Sequence, residues 1–283
     1  MDLCNISVIK SLMSDEGITF RKEFGQNFLI NRIIPESIAE SAADGEDTLI
    51  IEIGPGIGCL TKELAERYKR VVAIEIDKGL IPILEKTLSE YDNVTVINAD
   101  VMKTDLSELV TKYGAGMKVS VCANLPYYIT TPILMYLIES RVEFSSITVM
   151  VQNEVASRLV AKPGSADYGA ITCVLGYYGE TEKLFKVSAG SFMPIPKVDS
   201  AVVKINLYSS PRYFPKDERF FRNLIKASFE MRRKTLVNAI NAKFPHIEKG
   251  RIAQVLESMG FSQTVRGEKL STENFVELSN LLI

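Results

Sequence analysis

The feature that most constrains this chain is an alternation of two hydrophobic periods. TLIIEIG (48–54), RVVAIEI (70–76), NVTVINA (93–99), KVSVCAN (118–124) and SITVMVQ (146–152) are short, rich in Val and Ile, and bounded by charged or turn residues. Such runs read as strands buried on both faces. Between them, LTKELAERY, LIPILEKTLSE, PILMYLIES and EVASRLV repeat apolar residues at helical spacing. Strand and helix alternating at this pitch predict an α/β fold with a doubly wound, mostly parallel sheet. ITCVLGYYG (171–179) and AVVKINLYS (201–209) read as closing strands, with an antiparallel edge. Beyond Phe214 the texture is helical only, in FRNLIKASFEMRRKTLVNAI, KGRIAQVLESMG and STENFVELSNLL. The expected division is therefore a sheet domain over 1–210 and a smaller α-helical domain over 211–283.

Composition removes several chemistries. At 283 residues with 46% hydrophobic and 24% charged positions, the chain matches a soluble globular protein, and no apolar run approaches the roughly 18 residues of a membrane span. The opening MDLCNISVIKSLMSDEG lacks a cleavable apolar segment and carries Asp2, Asp15 and Glu16, so a cytoplasmic protein is expected. Cys4, Cys59, Cys122 and Cys173 are scattered without a CxxC pair, which predicts neither a disulfide framework nor a metal site. One histidine, His246, leaves no material for a Ser-His-Asp triad. No apolar seam calls for a partner subunit, and a monomer is expected.

The first buried strand runs into Glu52-Ile53-Gly54-Pro55-Gly56-Ile57-Gly58. Glycines at a first strand's end let backbone approach a ligand at the sheet's carboxyl edge. A nicotinamide loop would read GxGxxG, but the position of its third glycine is Cys59, and Pro55 removes an N–H that a pyrophosphate would use. Glu75 closes the second strand, where an acid can accept both hydroxyls of a ribose. Asp100 and Val101 follow the third strand. Gly, Glu and Asp at three successive strand ends suit a nucleoside without phosphates, and S-adenosylmethionine fits: Gly54 and Gly56 beneath it, Glu75 on the ribose, Asp100 on the adenine amine, Ile76 and Val101 around the ring.

The fourth strand ends in Asn124-Leu125-Pro126-Tyr127. An amine conjugated to a ring is a poor nucleophile because its lone pair is delocalised, yet it needs no strong base because it has a proton to lose after transfer. It needs acceptors that hold its hydrogens and turn the lone pair toward the donor carbon. The Asn124 oxygen and the carbonyl of Leu125 or Pro126 can serve, Pro126 fixing the turn and Tyr127 offering a face for a flipped base. This is catalysis by orientation and electrostatics.

GQNFL (25–29), EIGPGIG (52–58), NLPY (124–127) and FMPIPKVDS (192–200) together resemble the ribosomal RNA adenine dimethyltransferase family, over roughly Ile18 to Leu282. The resemblance implies a Rossmann-like methyltransferase domain that uses S-adenosylmethionine to place two methyl groups on the amine of each of two adjacent adenosines near the 3′ end of small-subunit (16S) ribosomal RNA, during ribosome biogenesis. It implies cofactor contacts at Asn27, Leu29, Gly54, Glu75, Asp100 and Asn124. It also gives Phe192 a role, as a second aromatic wall facing Tyr127 across the target base.

Residues 201–283 hold 14 Lys+Arg against 8 Asp+Glu, in a chain whose net charge is −2. A basic tail on an acidic body points to a polyanionic partner. Phosphate contacts are expected from Arg222, Lys226, Arg232, Arg233 and Lys234, with Arg21 and Lys22 as further candidates. Three alternatives are a large-subunit RNA adenine methyltransferase of the macrolide-resistance type, a non-catalytic nucleic-acid binder on the same fold, and a nicotinamide oxidoreductase. The closing RGEKL argues against the first, the intact Asn124–Tyr127 turn against the second, and the absent GxGxxG against the third.

Overall fold

The computed structural model describes residues 1–18 and 26–283. The strands are β1 (Phe28–Leu29), β2 (Thr48–Ile53), β3 (Arg70–Glu75), β4 (Val94–Asn98), β5 (Lys118–Asn124), β6 (Phe144–Gln152), β7 (Gly179–Val187), β8 (Phe192–Met193) and β9 (Ser200–Leu207). The helices are α1 (Ile6–Asp15), α2 (Ile33–Ser41), α3 (Cys59–Ala65), α4 (Ile81–Thr87), α5 (Leu106–Tyr113), α6 (Thr130–Glu139), α7 (Asn153–Leu159), α8 (Ala170–Tyr178), α9 (Glu218–Glu230), α10 (Leu236–Lys243), α11 (Lys249–Ser258) and α12 (Thr272–Leu282).

Seven strands form one sheet in the order β4-β3-β2-β5-β6-β9-β7. The pairs β4-β3-β2-β5-β6 are all parallel, and β9 joins β6 antiparallel. The alternation of periods is therefore realised as a doubly wound sheet. All six side chains of β2 are buried, which is why its sequence is a continuous apolar run broken by one carboxylate, Glu52. The core beneath joins Ile50, Leu60, Leu64 and Tyr68 to Ile38 and Ala39, with the Tyr68 hydroxyl donating to the Ala39 carbonyl at 2.8 Å. A second cluster packs Ile9, Leu12 and Met13 of α1 against Phe28, Ile57 and Leu80.

The chain divides into two compact units, Met1–Ala156 with Glu182–Leu207, and Ser157–Thr181 with Tyr208–Ile283. The second therefore takes in 157–181, a stretch the sequence reading gave to the first domain. The reason is a misjudged period. ITCVLGYYG is not a strand but helix α8, which buries Thr172, Cys173, Val174 and Leu175 and contacts α9 and α12. A short β-branched run fits either a buried helix or a strand, and periodicity alone does not separate them. The closing strand is instead the polar β7, GETEKLFKV, which the hydrophobic pattern did not flag. β9 forms as expected, but β7 lies outside it, so β9 is not the edge.

The run FRNLIKASFEMRRKTLVNAI is also two helices rather than one. It breaks over Met231–Lys234, where the Lys234 amide turns back to the Met231 carbonyl and Thr235 restarts the helix by capping the Asn238 amide.

Candidate functional site

Strand register builds the site. Ile53 stands opposite Ile74 on one side and Ala123 on the other, so Gly54, Glu75 and Asn124 come level at the carboxyl edge. The chain leaves β2 for β3 and β4 and then returns to β5 on the other flank, which makes this edge the topological switch point where a crevice opens. The crevice is open to solvent and is lined by the glycine loop, the end of β3 and the turn after β5. Among the described residues its lining holds Glu52 and Glu75 but no lysine or arginine. A lining without a cation opposes a phosphate, and the carboxyls suit a cationic ligand once ionised.

The glycine loop supplies the floor. Gly54 and Gly56 have φ of +69° and +62°, in the left-handed region that favours glycine. A Cβ on Gly54 would enter open space, whereas one on Gly56 would lie 3.1 Å from the Phe28 ring. Gly54 is thus constrained by conformation alone, and Gly56 by contact as well. The loop is tied to β3: the Gly56 amide donates to Glu75 Oε2 at 3.1 Å, and the Asp77 amide to Oε1 at 2.8 Å. Asp77 also receives the Gly79 amide at 3.0 Å and the Gln26 side-chain amide at 2.8 Å. Burial pushes the Glu75 carboxyl up to about 7, against the pull of those two amides. Glu52, only 1% exposed, is pushed up to about 8 by burial, and its Oε2 has no hydrogen-bond partner.

At the end of β5 the Asn124 side-chain N–H donates to the Asn27 carbonyl at 3.3 Å. The bond holds the amide through its nitrogen, and the Asn124 oxygen accepts no hydrogen bond among the described residues. The Pro126 carbonyl already accepts the Ile129 amide and the Thr130 hydroxyl, each at 3.2 Å. The Leu125 amide is fixed by the Met150 carbonyl at 3.1 Å. Tyr127 is half-buried, its hydroxyl 2.7 Å from that of Ser200, and burial raises its pKa.

Asn27, Leu29, Gly54, Gly56, Glu75, Ile76, Asn124, Leu125 and Tyr127 therefore line one cavity. Pro126, Asp100 and Val101 are not part of that lining. Asp100 stands one strand further out, its Oδ1 capping the Met102 amide at 3.0 Å and its Oδ2 3.6 Å from Lys103. Val101 beside it is buried.

Phe192 departs from expectation. The aromatic wall assigned to it is not present: the ring is 1% exposed and belongs to the core with Leu29, Ile38 and Met150. β8 pairs with β1, placing Phe192 opposite Leu29 and drawing the ring inward. In the same loop the exposed apolar side chains are Ile195 and Val198.

Sequence reading passed over Glu52, Asp77 and Gln26. Glu52 carries a visible signal, since it interrupts an otherwise apolar buried strand.

In the helical unit Lys226 is exposed, 3.9 Å from Glu230, and Arg222 pairs with Glu218. Arg232 donates to the carbonyls of Ala166 at 2.9 Å and Tyr168 at 3.1 Å, with Glu268 3.5 Å away. It is a clamp within its own unit. Arg233 and Lys234 are exposed and carry no ion pair among the described residues. Arg21, Lys22 and Gly25 lie outside the described residues.

Methyltransferases of Rossmann-like fold that use S-adenosylmethionine bind it at such a switch point, and comparison with known proteins puts this chain among them. The sequence profile of the ribosomal RNA adenine dimethylase family matches residues 17–283. The chain is 47% identical to the ribosomal RNA small subunit methyltransferase A of Lachnoclostridium phytofermentans, over 93% of this chain and 91% of that one. It is 45% identical to the protein of that name from Streptococcus thermophilus, over 100% and 98%. Among solved structures, a dimethyladenosine transferase from Plasmodium falciparum aligns with a TM-score of 0.75 and 28% identity, over 88% of this chain and 95% of that one. The 23S rRNA methyltransferase ErmE aligns at 0.70 and 26%, over 90% and 99%. This chain belongs to the ribosomal RNA adenine dimethylase family.

Proposed function

We propose that this protein transfers two methyl groups from S-adenosylmethionine to the exocyclic amine of each of two adjacent adenosines near the 3′ end of small-subunit ribosomal RNA. The observation that carries this reading is the strand register, which brings the donor-type loop at Gly54 and the Asn124–Tyr127 turn into one cavity. Identities of 44–47% to small-subunit enzymes, against 26% to the 23S enzyme, favour the small subunit.

The bound donor supplies an electrophilic methyl on a sulfonium, and every other task falls to the chain. Gly54 and Gly56 would admit the donor to the floor and Glu75 would accept its ribose hydroxyls, with Asn27, Leu29 and Ile76 along the same cavity. Asp100 and Val101, outside that lining, would hold the adenine end. Glu52, held protonated by burial near neutral pH, would offset the donor's positive charge only once ionised. The Asn124 oxygen and the Leu125 carbonyl accept the two hydrogens of the target amine, so that its lone pair faces the methyl carbon. Pro126 holds that carbonyl in place, and the Tyr127 ring, fixed through Ser200, stacks on the extruded base. No imidazole is required, since the methylated amine releases its proton to water.

Arg233, Lys234 and Lys226 are proposed to meet phosphates, with Arg222 and Arg232 holding the surface that presents them. The protein is proposed to act as a monomer in the cytoplasm; no helix among the described residues is long and apolar enough to cross a membrane. A radiolabelled donor, small subunits lacking these modifications and separate large-subunit RNA test the reading together. Label confined to two adjacent adenosines of the small subunit is expected, and label on large-subunit RNA would replace this reading with the macrolide-resistance one.

A further inference from the structure

Cys4 and Cys59 lie 55 residues apart in sequence, yet their sulfurs are 3.0 Å apart. Cys59 opens α3 directly after Gly58 and contributes to the wall of the donor cavity. On its other side, with Cys4, it lines a second, solvent-open cavity formed with Asp2, Arg32, Lys62 and Glu63. The remaining cysteines, Cys122 and Cys173, are fully buried and border neither cavity.

We propose that Cys4 and Cys59 form a reversible disulfide by exchange with a small disulfide such as oxidised glutathione, and that the bond impairs binding of the methyl donor. The pair differs from an ordinary buried thiol in three respects. The sulfurs need to approach by only about 1 Å to reach the roughly 2.05 Å of a disulfide. The second cavity gives a small reagent a path to them. Arg32 and Lys62 on its wall favour an anionic reagent, while Asp2 and Glu63 beside them oppose the Cys4 thiolate. Cys4 borders only this second, solvent-open cavity, whereas Cys59 also lines the donor cavity, and Cys4 is taken as the sulfur that attacks first.

The exchange balances without any further redox partner. The Cys4 thiolate attacks one sulfur of the small disulfide and expels one glutathione thiolate, which takes up the Cys59 proton. The Cys59 thiolate then attacks the Cys4 sulfur and expels the second glutathione. Two protein thiols become one disulfide and one small disulfide becomes two thiols. The consequence follows from position. The N-terminal segment, whose α1 already packs on Ile57 and Phe28, becomes covalently fixed to the residue after Gly58. A shift of Cys59 moves one wall of the donor cavity directly.

The bond itself is independent of the RNA substrate; its effect rests on the methyl-donor reading above. The full-length protein is incubated with oxidised or reduced glutathione, alkylated, digested without reduction and read by mass spectrometry, with S-adenosylmethionine affinity measured in parallel. The expected result is a Cys4–Cys59 linked peptide, with Cys122 and Cys173 still free thiols. Donor affinity should fall roughly fivefold or more, recover with dithiothreitol, and be unaffected by oxidised glutathione in Cys4→Ser. Glutathione adducts without the linked peptide overturn the proposal, as does a linked protein that binds the donor like the reduced one. Failure of the reduced protein to bind the donor at all would instead count against the methyltransferase reading.

Discussion

The Glu75 carboxylate accepts the Gly56 amide at 3.1 Å, joining the end of one strand to the loop that follows its neighbour. The residue proposed to meet the donor's ribose therefore also holds the glycine loop in its left-handed turn. Glu75→Ala should remove both, weakening S-adenosylmethionine by about 1.5–3 kcal/mol, the range for hydrogen bonds to charged groups. Calorimetric titration reads this directly; an affinity within twofold of the parent would separate the loop from the carboxylate.

Two buried carboxyls give the empty protein a defined pH response. Burial raises Glu52 to about 8 and Glu75 to about 7, both above the ordinary carboxyl value of 4.5. Between pH 4.5 and 8 the folded protein therefore binds more protons than the unfolded chain at these sites. Their contribution to stability is greatest at the acid end and is lost as pH rises through 7 to 8. Glu52→Gln should stay neutral throughout and show a flatter loss of melting temperature from pH 6 to 8 than the parent. Donor affinity should move oppositely and tighten with pH, because a cation favours the ionised acids. Parallel melting curves for the two proteins would contradict the assignment.

Phe192 should behave as a core residue rather than a substrate wall. Phe192→Ala is expected to cost about 3–5 kcal/mol of folding free energy, as for other buried aromatics cut to alanine. Urea unfolding measures it. In contrast, Tyr127→Ala should leave stability nearly unchanged and weaken turnover by about 1–3 kcal/mol, the value of one base stacked on a ring. Tyr127→Phe, which keeps the ring and loses only the bond to Ser200, should retain most activity.

The basic turn after α9 divides by function. Arg233→Ala with Lys234→Ala should weaken RNA binding and reduce its dependence on salt concentration, each lost phosphate contact lowering the logarithmic slope by about 0.7–0.9. Arg232→Ala should instead lower the melting temperature, because its guanidinium holds the carbonyls of Ala166 and Tyr168. Filter binding across a salt series, paired with melting curves, distinguishes the two outcomes.

Most of the site was legible because it is written where period and chemistry coincide. Gly54, Glu75 and Asn124 each follow an apolar strand, so parallel pairing alone brings them level. Phe192 was misplaced for a tertiary reason, the pairing of β8 with β1, which no local pattern announces. The helix α8 was taken for a strand because its β-branched run is buried in the second unit. The proximity of Cys4 and Cys59 likewise depends on α1 packing against the glycine loop, a contact between distant segments.

The central claim is that one amide at the sheet edge orients an adenine amine for a donor lying beside it. Turnover and donor affinity of Asn124→Ala, measured on small subunits lacking the modification, test it most directly. The expected result is loss of dimethyladenosine with only partial loss of donor binding. Continued formation of dimethyladenosine by that variant at the parent's rate would contradict the account.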